Sequence, residues 1–80
     1  MATQEAESKP KAERQPNDKL KAARERKAWS QKRVAKMVPV KISTYQNWEA
    51  GVSIPYPDNR LRLCEIFQAS LEELGLLPRL

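Results

Sequence analysis

The sequence predicts an all-α protein, a compact body of four to five short helices preceded by a polar arm. Three observations predict it. Apolar residues recur at spacings of three and four from Leu20 onward, the repeat that lines one face of a helix. No stretch alternates apolar and polar residues as a half-buried strand would. Cap residues punctuate the pattern at Ser30, Gly51 and Ser70, at intervals that suit short helices.

The elements follow in chain order. Residues 1–17 are rich in Lys, Glu and Gln, contain Pro10 and Pro16, and hold nothing from which to build a core; they read as a disordered basic arm. Asn17 or Asp18 can cap a first helix over 18–27, with Leu20, Ala23 and Ala28 toward one face. Its end lacks the usual glycine, and Ala28 stands in that place. Ser30 caps a second helix over 31–38 whose buried stripe is Val34, Ala35 and Val38. Pro39 stops it, because a proline pushes the residue before it out of helical geometry. A third helix covers 42–50, with Tyr45 and Trp48 three apart on one face and Gly51 where a left-handed C-terminal cap belongs. "VSIPYPDN" is a loop, and Pro57 opens the fourth helix as its first residue. Leu61, Cys64 and Phe67 share a face there, widened by Leu63 and Ile66. Ser70 and Glu73 make a capping box that opens a fifth short helix at "SLEEL". The expected domain spans 18–76, with 77–80 as a tail.

Composition narrows the class of function. Eighty residues make one small domain, and local helix packing is the least demanding way to give it a core. The one cysteine, Cys64, cannot form an internal disulfide, and there is no histidine to share a metal with it. Cys64 reads as a small core residue of an intracellular chain. No apolar run approaches the roughly 20 residues of a membrane span, and the first residues lack the apolar stretch of a signal peptide. We therefore expect a cytoplasmic, nucleoid-associated protein with no membrane partner. No catalytic carboxylate pair, nucleophile–base pair or phosphate-cradling glycine loop is present, so neither an enzyme nor a cofactor nor a metal site is expected. The net charge is +5 and unevenly placed: residues 1–33 hold ten Lys or Arg against five Asp or Glu, whereas 34–80 balance at five and five. A basic half suits a polyanion, although a solvated surface would look the same.

The stretch "WSQKRVAKMVPVKISTYQNWEAG", Trp29 to Gly51, carries the functional signal. Two helices joined by a short turn form a helix-turn-helix unit. Counting Gln31 as first, its packed positions are the fourth, fifth, eighth, tenth, fifteenth and eighteenth. Those are Val34, Ala35, Val38, Val40, Tyr45 and Trp48, all apolar or aromatic, with a small residue where the helices must approach. A plain αα-hairpin explains Val34, Val38 and Trp48 equally well. It does not explain why Ser43, Gln46 and Asn47 line the other face with short hydrogen-bonding side chains that suit base edges in a major groove.

From Leu20 to about Leu74 the chain resembles the lambda-repressor-like, XRE-type family of DNA-binding domains. The residues that carry the resemblance are Leu20 and Arg24, "SQ" at Ser30–Gln31, Ala35, "ST" at Ser43–Thr44, "WEAG" at Trp48–Gly51 and "SLEEL" at Ser70–Leu74. The resemblance implies a lambda-repressor-like fold of five helices whose third lies in the major groove of double-stranded DNA. It implies that Gln31 grips a phosphate and braces the third helix, that Ile42, Ser43, Gln46 and Asn47 face bases, and that Thr44 lies near the backbone. It also implies a structural ion pair between Arg24 and Glu49. The chain departs from the family at three places. Pro39 replaces the turn glycine and cannot take positive φ, so the turn must be rebuilt. Lys41 is a poor N-cap that could instead reach a phosphate. Ile42 stands where a polar base reader is common; it either touches a thymine methyl or packs partly buried.

Other features carry alternatives. Lys19, Lys21, Arg26, Lys27, Lys32, Arg33 and Lys36 surround the start of the second helix, as phosphate contacts, Lys32 foremost, or as a solvated face. The arm is a plain tail, or it enters a neighbouring groove. Trp29 either stacks on a partner or packs as a hydrophobic staple before the second helix. The apolar finish at Leu76, Leu77 and Leu80 either folds back on the core, pairs two copies as a homodimer, or leads into further C-terminal domains. Two functions follow: a sequence-specific DNA-binding module of a bacterial or phage transcription regulator, or a module of the same fold that binds protein, as antitoxins and coactivator-bridging proteins do.

Overall fold

The computed structural model describes residues 15–77. The arm predicted over 1–17 lies outside the described residues as far as position 14, and so does the end of the tail, Leu80 included. Among the described residues there are four helices and no strand: α1 Asp18–Arg26, α2 Gln31–Met37, α3 Ile42–Ala50 and α4 Pro57–Phe67.

Local chemistry accounts for the ends of these helices. At α1 the cap is Asn17, whose Oδ1 accepts from the Leu20 backbone N–H at 3.0 Å. Ser30 Oγ accepts from Arg33 N–H at 3.0 Å to open α2. Lys41 precedes α3 without any side-chain cap bond. Gly51 closes α3 in the left-handed region at φ 77°, where its N–H donates toward the Asn47 and Trp48 carbonyls. Pro57 stands at the start of α4, where the missing N–H costs nothing. The Val38–Pro39 peptide bond is cis, and the Val40 N–H donates to the Ala35 carbonyl at 2.7 Å. Val38 keeps right-handed helical angles at φ −67° and ψ −44°, so Pro39 does not push it out of helical geometry as the sequence predicts.

The core forms where these helices meet. Leu20 and Ala23 of α1, Val34, Ala35 and Val38, Tyr45 and Trp48 of α3, Leu63 and Phe67 of α4, and Leu74 and Leu76 make one buried cluster. Val40, Trp29, Cys64, Ile66, Ala69 and Leu71 pack against its edge half-buried. Burying a Leu or Phe side chain contributes about 1.5–3 kcal/mol, so this short list holds most of the stabilisation a chain of this size can gather. Trp29 belongs to it: its ring lies 5.5 Å from that of Phe67, a packing role on the core rather than a free stacking platform.

Four further expectations are corrected. Ala28 does not join the α1 face; it is exposed, lies past the helix and takes positive φ at 59°. On α4 the inward pair is Leu63 and Phe67, four apart, while Leu61 is 63% exposed and Cys64 only half-buried. The "SLEEL" segment forms a single closed turn instead of a fifth helix. The capping box is made in both directions, Ser70 N–H to Glu73 Oε1 at 2.8 Å and Glu73 N–H to Ser70 Oγ at 3.0 Å. One helical bond follows, Leu74 N–H to the Ser70 carbonyl, before Gly75 turns left-handed at φ 67° and ends it. Finally, Gln15–Asn17 do not belong to a free arm. The Asn17 N–H donates to the Glu49 carbonyl at 2.8 Å, which satisfies one of the unpaired carbonyls at the end of α3. The Asn17 amide donates to the Leu74 and Gly75 carbonyls at 3.0 and 3.2 Å. A side chain at Gly51 would overlap the Gln15 carbonyl, so glycine there meets both a backbone angle and a close approach. Of the apolar tail, Leu76 folds into the core and Leu77 remains half-exposed.

Candidate nucleic-acid interface

The organising group of the site is a buried carboxylate. Glu49 lies at the inner face of the last turn of α3 and is 7% exposed. A lone buried charge would be costly, and this one is fully engaged. Arg24 Nε donates to Oε2 at 2.6 Å and Nη2 to Oε1 at 3.3 Å, a two-pronged contact from α1. Tyr45 Oη, one turn earlier on α3, donates to Oε2 at 2.5 Å. Gln31 Nε2, at the start of α2, donates to Oε1 at 2.9 Å. Arg24 also donates through Nη1 to the Trp29 carbonyl at 2.8 Å, which ties the α1–α2 junction to the same group.

The electrostatics follow from these bonds. Burial pushes the Glu49 carboxyl up, but the hydrogen bonds from Arg24, Tyr45 and Gln31 outweigh it and hold the group below its ordinary value, hence ionised. The bond to Glu49 raises Arg24 against the opposing effect of its own burial. Burial, reinforced by the donated bond to Glu49, raises the Tyr45 hydroxyl, which stays protonated. Three helices are thus fastened at one carboxylate, and the pitch of α3 relative to α1 and α2 is fixed there.

With its inner face anchored by Tyr45, Trp48 and Glu49, α3 turns the opposite face outward. Ile42, Ser43, Gln46 and Asn47 are exposed, with Thr44 half-buried beside them. Ser43 and Asn47 are one turn apart on one ridge. Ile42 is 42% exposed and is not among the residues packed on the core. Lys32 and Lys41 are exposed at the two ends of the α2–turn segment, and Arg33 and Lys36 are exposed on α2. Lys19, Lys21 and Arg26 on α1 and Lys27 just after it are exposed as well, with Lys27 Nζ 5.8 Å from the centre of the Trp29 ring. Gln46 is not independent of the rest: its Nε2 donates to Gln31 Oε1 at 3.2 Å. Gln31 therefore touches Glu49 and Gln46 at once.

Among the interactions that go beyond what the sequence predicts, two stand out by their partners. The Tyr45 hydroxyl is a donor to Glu49, whereas the apolar pattern makes Tyr45 only a core anchor; the spacing of four on one helix is the available signal. The Asn17 amide clamp on the C-terminal turn leaves no sequence signal, since its partners are backbone carbonyls 57 and 58 residues away.

Two short helices around a tight break, the second held by its inner face and bare on its outer one, define a helix-turn-helix DNA-binding domain. The comparison with known families agrees: the helix-turn-helix family model matches residues 20–74. The chain belongs to that family, in its XRE-type form. No curated protein and no solved structure matches the chain. No helix among the described residues is long and apolar enough to cross a membrane.

Proposed function

We propose that this chain reads the sequence of double-stranded DNA as the binding module of a bacterial or phage-type transcription regulator, with α3 in the major groove and no catalytic activity of its own. The observation that carries the reading is the division of α3 between a buried face and a polar ridge. Tyr45, Trp48 and Glu49 are buried, and Ser43, Gln46 and Asn47 are exposed on the opposite side. Such side chains gain nothing for solubility over Lys or Glu, but they fit base edges. Ile42 beside them meets a thymine methyl. Lys32, Lys41 and Thr44 flank the ridge and meet phosphates, and Gln31 keeps an amide N–H for another. The module comprises 18–76 and acts on the nucleoid in the cytoplasm.

Selection of bound duplexes from random DNA at about physiological salt tests the reading. A recovered consensus, together with a log affinity that falls steeply against log salt, supports it. Flat salt dependence with no consensus sinks it. One observation favours a second reading, a protein-binding module. The loop after α3 exposes apolar side chains at Val52, Ile54 and Tyr56, at 47%, 57% and 79%. On that reading substitution of these three abolishes partner binding, and changes on the α3 ridge leave it intact.

A further inference from the structure

A groove of about 670 Å³ lies between α1 and the chain that follows α4, and no residue of α2 or α3 lines it. The left-handed turn at Gln68, φ 53°, ends α4 and carries the chain round to make the second wall. The two walls carry opposite charge. Lys19 and Arg26 stand about two helical turns apart on α1. Glu72 and Glu73 stand on the capping-box turn across from them. All four are exposed, and only the small side chains of Ala22 and Ala69 come between the walls from their middle. Part of the charge is already engaged: Lys27 lies over the Trp29 ring, and Glu73 Oε1 accepts the Ser70 N–H. The side chains of Lys19, Arg26 and Glu72 have no such partner among the described residues. Nor does any ion pair there cross the groove; those formed are Arg24–Glu49 and Arg62–Glu65.

We propose that this groove is a pairing surface for a second copy of the chain, joined about a two-fold axis so that Arg26 of each copy faces Glu72 of the other. The occupant has to bring an acid to the α1 wall and a base to the facing one. A polyanion answers the first wall and is repelled by the second. A second copy turned through half a revolution answers both, because a two-fold interface sets residue i against j and j against i. The alanines in the middle let the two copies approach closely enough for the charged walls to meet.

The contact lies on a different face from the apolar finish at Leu76 and Leu77, and it does not depend on DNA reading. Since α2 and α3 contribute nothing to the groove, the polar ridge of α3 stays uncovered in the pair. Exposed ion pairs contribute little each and are screened by salt, so the pairing is weak and loosens as salt rises.

The test is sedimentation equilibrium of the full chain without DNA, at low salt and at concentrations up to about 1 mM, where weak complexes form. The wild type should reach a dimer and no higher species, and return toward monomer at about 0.5 M salt. Arg26→Glu and Glu72→Lys should each weaken association by about tenfold, since each turns both symmetric contacts from attraction to repulsion. Mixed in equal amounts, the two variants should pair about as strongly as wild type. At positions 26 and 72 one copy then carries two acids and the other two bases, so both contacts attract again. Melting curves accompany each variant; both side chains are exposed, and the midpoints should match wild type. Arg26→Gln and Glu72→Gln remove the charge without reversing it and serve where a reversed charge unsettles the fold; each should weaken pairing by about threefold. A wild type that stays monomeric throughout overturns the proposal. A dimer that none of these variants weakens overturns it too and moves the contact to another face, such as the apolar finish. Reversed-charge variants that fail singly and fail again when mixed overturn the two-fold arrangement.

Discussion

At the scale of the residue, Glu49 is where side chains of three helices meet at one carboxylate. Removing one partner of a buried ion pair costs about 3–5 kcal/mol when burial is complete. Arg24 keeps 12% of its side-chain exposure and Glu49 6%, so the lower end of that range applies. Against the about 5–15 kcal/mol that holds a typical domain together, this is a large share. Glu49→Gln should therefore lower the melting temperature far more than Glu65→Gln, whose pair with Arg62 is 3.5 Å long and open to solvent. Equal shifts would remove the pair from the account. The pH dependence has a defined sign. The Glu49 carboxyl is depressed below its ordinary 4.5, so its contribution is complete above that value and is lost as the pH falls through the lower folded one. The melting temperatures of wild type and Glu49→Gln should be well separated at neutral pH and draw together on acidification below 4.5. A second residue-scale prediction concerns Ala28, which holds a left-handed conformation at φ 59° with an exposed side chain. An alanine there costs about 1–2 kcal/mol, and the freedom a glycine adds to the unfolded chain offsets part of the gain from replacing it. Ala28→Gly should stabilise by about 0.5–1 kcal/mol, a rise of several degrees in a thermal melt. No rise would mean that the neighbouring bonds, not the alanine, set that conformation.

At the scale of the element, α3 works by keeping its two faces separate. Asn47 is exposed, and among the described residues its side chain makes no hydrogen bond, although its carbonyl accepts from Gly51 and Val52 at the helix end. Asn47→Ala leaves those carbonyl bonds in place and adds helix propensity. The melting temperature should hold or rise slightly while discrimination at one base pair falls by about 1–3 kcal/mol. Unfolding, or an unchanged consensus, would place the recognition face elsewhere. The elements are legible in the sequence wherever a residue type has only one local use. Ser30 and Ser70 with Glu73 open turns, Gly51 closes one, and Pro57 begins a helix, because caps act within four residues and need no knowledge of the rest. The α4 face is less legible. Leu61, Leu63, Cys64, Ile66 and Phe67 cover more than half the circumference, and the partners across the core select the Leu63–Phe67 stripe. The Gln31–Gln46 bond is illegible for a related reason: fifteen residues and a turn separate the two amides. Only the angle between α2 and α3 brings them together.

At the scale of the whole molecule, Lys19, Lys21, Arg26, Lys27, Lys32 and Arg33 are exposed and available to a polyanion. If Lys32 and Lys41 meet phosphates, neutralising either should weaken binding to every DNA sequence alike. The slope of log affinity against log salt should shrink by about 0.9 for each phosphate left without its lysine. Slopes unchanged in both variants would move the positive surface to α1, where Lys19, Lys21, Arg26 and Lys27 remain exposed. Asn17 acts at this scale too. Its backbone N–H and side-chain amide join the start of α1 to the end of α3 and to the C-terminal turn, so the two ends of the fold are sewn at one stitch. A fragment trimmed to the family match, 20–74, would therefore come apart at the seam. It would lose the stitch, the α1 cap and the Leu76 plug together, beginning with the about 0.5–2 kcal/mol that a cap contributes. Residues 15–77 should melt cooperatively and 20–74 broadly and at lower temperature; the smallest foldable piece is longer than the stretch by which the family is recognised.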